Sequence, residues 1–279
     1  MDKAQKKKTL DIVLRCLVFV VLALAGTVLF GWLLGIAGYM LASVLSVFLA
    51  SVVANAVVMR VFERASLAGI GLYWNADSIR NLVLGLAGGI GAACLVILAP
   101  IVVGAAEIHA VAGGETNVRT ILYVSILLLF GSAGEEMLFR GYAFQKLIGL
   151  LGPFATILPI AVLFAWAHAG NQSVTLLALA NTFLWGVLLG WAFVRAGDLW
   201  LPIGLHFGWN WVLPLLGVNL SGFTMKMTGF TVAWKAGPFW SGGDYGPEGG
   251  VLTCGVLFLL FLYLWKAPIR KQSAPLLPE

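Results

Sequence analysis

Charge is what this chain has least of: Lys, Arg, Asp and Glu make up only 10% of its 279 residues, where a soluble domain carries roughly a quarter. With 61% hydrophobic residues and a mean hydropathy of +0.97, an ordinary soluble domain is excluded. Strand-period alternation is missing, which argues against a membrane β-barrel. Cysteine is scarce as well. Cys16, Cys94 and Cys254 lie in separate apolar runs with neither CxxC nor metal-ligand spacing, so they read as packing residues and imply no disulfide framework. The chain has no nucleotide-binding loop, nucleic-acid motif, low-complexity tract or convincing repeat, and nothing points to nucleic acid as a partner.

What is abundant is apolar sequence, spread over many segments. The expected fold class is all-α: one polytopic transmembrane bundle over 1–279 with about eight helices, near 11–36, 39–60, 80–105, 119–138, 154–169, 173–194, 199–216 and 251–265. The N-terminal "DKAQKKK" looks like a signal n-region, but the apolar run after it is too long for an h-region, so a retained first helix is expected. Basic residues gather on one side. Lys3, Lys6, Lys7, Lys8, Arg15, Arg60, Arg64, Arg80, Arg140, Lys146, Arg195, Lys266, Arg270 and Lys271 fall there, against Arg119, Lys226 and Lys235 opposite. By the positive-inside rule both termini are cytoplasmic. Gly85 and Gly89 in "GLAGGIGAAC" have the small-xxx-small spacing of closely packed helices. Most tryptophans, such as Trp200, Trp234, Trp240 and Trp265, fall near expected span ends, as in interfacial belts. The outer segment 217–250, Gly-rich and aromatic, cannot be a span and is expected to be a lid, a binding element or a packed plug.

A few polar residues interrupt the spans. His109 lies in the loop "AEIHAVAGGETNVR" and is expected to be solvated, but His168 and His206 are intramembrane. His206 and Asn210 share one helical face, as do Phe164 with His168 and Glu136 with Arg140. Facing lipid, each polar group would cost on the order of a few kcal/mol, so they are expected to face one another or a wet cavity. Glu136 and Arg140 read first as an i,i+4 ion pair closing a helix at the interface, with Glu136 turned away from Glu135. Glu135 has only Phe139 as its i+4 neighbour, and an unpaired intramembrane carboxylate is a functional candidate.

Such a set suits hydrolysis without a covalent nucleophile. A carboxylate in a low-dielectric site can take a proton from water while an imidazole orients that water and returns a proton to a leaving amine. A second imidazole and a carboxamide can donate to an oxyanion. A zinc hydrolase with two His and one Glu is the alternative, although HExxH is missing. A transporter could use Glu and His as a proton relay, but paired, Gly/Pro-broken spans are not evident.

Three motifs carry a resemblance. "EEMLFR" (135–140), "FAWAH" (164–168) and "HFGWN" (206–210) resemble, in order and spacing, the EExxxR, FxxxH and HxxxN motifs of the CPBP family of intramembrane proteases, also called the CAAX-protease and bacteriocin-processing or Abi family. The resemblance covers roughly 119–265. It implies an all-helical, metal-free endopeptidase in which Glu135 and His168 activate water, His206 and Asn210 stabilise the oxyanion, and Glu136, Arg140 and Phe164 support the site. It also admits a non-catalytic scaffold or regulator. The partners implied are membrane lipid and a peptide or protein substrate, with or without a lipid. A cavity bordered by the cytoplasmic basic clusters would suit the tail of a lipidated protein or a short leader peptide. Gly-Pro-Glu-Gly-Gly stretches like 246–250 point to a bacterial plasma membrane.

One expectation conflicts with a simple topology. Counted at ~1.5 Å per residue, His168 lies ~22 Å from Pro153 on the cytoplasmic side and Glu135 lies ~24 Å from Arg119 on the outer side. In a ~30 Å core they would not meet, unless the fifth span starts outside the core, tilts strongly, or dips partway with a sunken loop.

Overall fold

The computed structural model describes residues 2–277. The chain runs through α1 (Lys3–Leu34), α2 (Tyr39–Val58), α3 (Ala76–Val102), β1 (Ala106–Ala110), α4 (Val118–Arg140), α5 (Tyr142–Leu151) and α6 (Pro153–Ala167), and then through α7 (Leu176–Ala196), α8 (Trp200–Leu215), β2 (Phe230–Trp234), the short α9 (Pro238–Ser241) and α10 (Val251–Lys266). Five stretches among the described residues are helical, long and apolar enough to cross a membrane: Lys3–Ala37, Tyr39–Glu63, Ala76–Val102, Val118–Leu151 and Leu176–Ala196. All eight expected spans are helical. Large side chains such as Val28, Trp32, Phe154 and Trp166 are exposed on the outside of the bundle, where lipid rather than water is their natural solvent. The protein is an integral membrane helical bundle.

Both termini lie on one face. Gln272 near the C-terminus donates to Asp198 beyond the end of α7 (2.5 Å), and Asn75 at the start of α3 donates to Gln272 (2.9 Å). Arg15 of α1 pairs with Glu63 below α2 (3.2 Å), which Lys146 of α5 also reaches (3.0 Å). The opposite face carries the α1–α2 turn, the start of α4 and the segment after α8. There β1 pairs antiparallel with β2, His109 opposite Thr231. This sheet corrects the expectation of a plain loop around His109, although that side chain is exposed as expected.

α3 and α8 run side by side through glycine. A Cβ added to Gly85 would meet Leu205 N at 2.9 Å, and one added to Gly208 would meet Ile90 N at 3.0 Å. Backbone therefore touches backbone along Gly85, Gly89, Gly204 and Gly208, the close approach that small-residue stripes permit in lipid. The partner stripe on α8 completes the packing role expected of Gly85 and Gly89.

The decisive departure from simple spans is in α4. Arg140, its last residue, is fully buried, and its Nη2 donates to the carbonyl of Gly186 (3.1 Å) in the middle of the 21-residue α7. The helix thus stops inside the protein, and α5 carries the chain to the terminal face. Stopping there exposes backbone groups that lipid cannot satisfy. Two buried amides satisfy them. Asn55 Nδ2 donates to Met137 O (3.0 Å) while its Oδ1 accepts from Tyr142 N (2.9 Å), and Gln145 Nε2 donates to Arg140 O (3.0 Å). Gly141 sits at the break because a Cβ there would strike Met137 O and Asn55.

Candidate functional site

The interior end of α4 resolves the depth conflict. With Arg140 buried against the middle of α7 rather than at the interface, Glu135 lies more than a turn further from the terminal face, and α6 reaches that level within its 15 residues. Glu135 Oε2 is 3.9 Å from His168 Nε2 and 3.9 Å from His206 Nε2. A carboxylate from α4, the imidazole of the residue capping α6 and an imidazole from α8 therefore converge. Both gaps exceed hydrogen-bond length, and Glu135 Oε2 is buried without a partner.

The ring of His168 is oriented from behind. Its Nδ1 lies 2.8 Å from the carbonyl of Phe164, one turn back on α6. A carbonyl only accepts, so Nδ1 carries hydrogen and, in the neutral ring, Nε2 offers a lone pair. His168 Nε2 and Glu135 Oε2 are then two acceptors facing one another across a space that suits a water donating one hydrogen to each.

His206 is fixed by Glu136. Its Nδ1 lies 2.9 Å from Glu136 Oε1, the same oxygen that accepts from Arg140 Nη1 at 3.0 Å. Glu136 and Arg140 are both 0% exposed, so their pair is an interior one and not the interfacial helix end expected from sequence. Glu136 also does not turn away from the site, since it holds one of the site's two imidazoles. An ion pair so buried is useful mainly for the geometry it specifies. The Phe164 ring lies 4.7 Å from the Arg140 guanidinium carbon, and its centroid is 4.8 Å from the His168 ring and 6.2 Å from that of His206. It packs against Arg140 and both histidines.

Glu135, His168, His206 and Asn210 all line one cavity of about 470 Å³. Asn210 stands one turn beyond His206 on α8. Trp185 and Glu248 are among the lining residues that sequence reasoning did not single out. Trp185 Nε1 is buried without a hydrogen-bond partner. Glu248, in the Gly-rich stretch before α10, accepts from Trp209 Nε1 (3.0 Å) and from the amide and hydroxyl of Ser221 (2.6 and 2.8 Å). The two ends of the segment 217–250 are thereby tied together against α8 at the side of the cavity. The only sequence signal for Glu248 was an acidic residue among glycines beside an apolar run. Cys254, expected only to pack, also donates to Asn181 Oδ1 (2.9 Å). None of the basic residues of the terminal face lines the cavity, contrary to the expected border of Arg/Lys clusters. Among the described residues no group of three His, Cys, Asp or Glu side chains is gathered as a metal cage.

A family model described as type II CAAX prenyl endopeptidase Rce1-like matches residues 117–212. That interval begins at Asn117, whose side chain caps α4, ends within α8, and contains all seven residues of the three motifs' site. No curated protein and no solved structure shows significant similarity to the chain.

Proposed function

We propose that this chain, which belongs through its segment 117–212 to the CPBP family of CAAX-type intramembrane proteases, hydrolyses a peptide bond of a membrane-associated protein or leader peptide with a water activated by Glu135. The observation that carries this reading is the unpartnered Glu135 oxygen, 3.9 Å from two imidazole nitrogens brought by two other helices to one cavity. Glu135 takes a proton from the water as it attacks the carbonyl carbon. His168 orients that water through its Nε2 lone pair, then receives the abstracted proton from Glu135 and passes it to the departing amine as the C–N bond breaks, leaving a carboxylic acid and an amine and returning Glu135 to its ionised form. His206 and Asn210 donate to the oxyanion of the tetrahedral intermediate. With Nδ1–H of His206 given to Glu136, donation from Nε2 uses the imidazolium form. Glu136, Arg140 and Phe164 position the rings.

The scheme uses no metal. In a zinc reading Glu136 would be the remaining base, yet its Oε1 already accepts from His206 and Arg140. A bacterial plasma membrane with cytoplasmic termini is the setting that the basic residues and the Gly-Pro-Glu-Gly-Gly stretch support.

Purified protein in detergent should cleave a membrane-proximal reporter peptide, and Glu135→Gln, His168→Ala and His206→Ala should each abolish cleavage. Cleavage retained in all three variants removes the site. Wild-type protein inert on peptides, with no precursor accumulating in membranes of a Glu135→Gln strain, favours a scaffold. Activity should survive prolonged dialysis against a strong chelator, and loss restored by zinc alone would overturn the metal-free scheme.

A further inference from the structure

The cavity has a direction. From Glu135 and His206 its lining runs to Tyr39 and Ser43 in the first turns of α2 and to Thr224 beyond α8. These three residues are exposed, Tyr39 by 77%. The start of α2 and the segment after α8 both lie on the face opposite the two termini. Toward the terminal face the way is blocked. Below Glu135 come the fully buried Glu136–Arg140 pair bound to Gly186, and then a packed layer of Met137, Tyr142, Phe144 and Phe193, each no more than 3% exposed. A peptide cannot pass such packing without unfolding it.

The lining also has a sign. Its acidic and imidazole residues are Glu135, Glu248, His168 and His206, and it includes no Lys or Arg. The nearest guanidinium, Arg140, is engaged by Glu136 and Gly186. A chain ending in a free carboxylate would enter against two acidic side chains with no Lys or Arg in the lining to pair with it, which is unfavourable in a low-dielectric cavity. An interior stretch of peptide with neutral or basic side chains meets no such penalty.

We infer that substrate reaches Glu135 from the membrane face opposite both termini, as an interior stretch of neutral or basic peptide. This rests on the endopeptidase reading for what happens at Glu135, but the entrance is a property of the fold and can be measured without turnover. Single-cysteine variants Asn210→Cys and Ser43→Cys, with Cys16, Cys94 and Cys254 replaced by serine, are reconstituted in sealed vesicles sorted by the side of a C-terminal tag. They are then treated with a membrane-impermeant maleimide. Thr224→Cys and Lys271→Cys report the two faces. Both cavity cysteines should react about tenfold faster from the Thr224 side than from the Lys271 side, since thiol reactivity follows aqueous access. Faster reaction from the tagged side, equal reaction from both, or no reaction at either cavity position while Thr224→Cys labels normally would each overturn the inference. Labelling as expected, together with wild-type protein inert on every peptide, would instead count against the endopeptidase reading alone.

Discussion

Adding one methyl group at Gly89 should damage the site without touching it. A Cβ at Gly89 would stand 2.8 Å from Trp209 N and 3.0 Å from the carbonyl carbon of Leu205, where ordinary contact begins at 3.4 Å. Its neighbours are backbone and cannot swing aside as a side chain tip would. α8 must therefore separate from α3 by something on the order of 1 Å at that level. His206 and Asn210 ride on α8, within a turn of the contact. A displacement of about 1 Å of a catalytic group costs on the order of a hundredfold in rate, and the overpacking should cost about 1–3 kcal/mol of stability. Gly91, two residues along, is the control: nothing lies within 4 Å of a Cβ there. Alanine at 91 should be neutral or stabilising by up to about 1 kcal/mol, because alanine is the better helix former. Turnover of the reporter peptide and thermal melting in detergent read the two effects. If Gly89→Ala melts with Gly91→Ala and cleaves like wild type, the reasoning that ties the glycine seam to the site is wrong.

Arg140→Met should leave the buried Glu136 carboxylate uncompensated, lowering stability by about 3–5 kcal/mol, and Arg140→Met with Glu136→Gln should melt well above the single variant while remaining inactive, because neither partner then fixes His206; thermal melting and peptide cleavage of the two proteins decide it. Asn55→Leu removes the groups that meet Met137 O and Tyr142 N and should destabilise by about 2–6 kcal/mol, as each orphaned buried group costs about 1–3 kcal/mol; a melting temperature within a degree or two of wild type would show that the break in α4 is satisfied otherwise.

Spans were readable because each is a long apolar run bounded by charge or glycine, and the three motifs put Glu135, His168, His206 and Asn210 on their helices before any coordinates. The depth of Glu135 was not readable. Counting rise along α4 treats it as a straight rod ending at the interface, whereas its end is fixed by Asn55, 82 residues away from Met137 in sequence. No local pattern announces that contact. Glu136 shows the same limit: its bond to Arg140 follows from i,i+4 spacing, but its bond to His206 crosses 70 residues. The strands "AEIHA" and "FTVAW" are five residues each, too short for alternation to stand out from a loop.

The break at Gly141 also works as a depth gauge. In a bilayer of changing thickness, long helices accommodate by tilting or by drawing lipid in around them. The level of the two glutamates is instead referenced inside the protein, by Arg140 on Gly186 and by Asn55 and Gln145 across the break. Thicker or thinner lipid should therefore move the rim around Tyr39 relative to the headgroups while leaving the spacing of Glu135, His168 and His206 as it is. On the proposed reading, a change of bilayer would alter how the entrance meets its substrate and leave the arrangement of the reacting groups untouched.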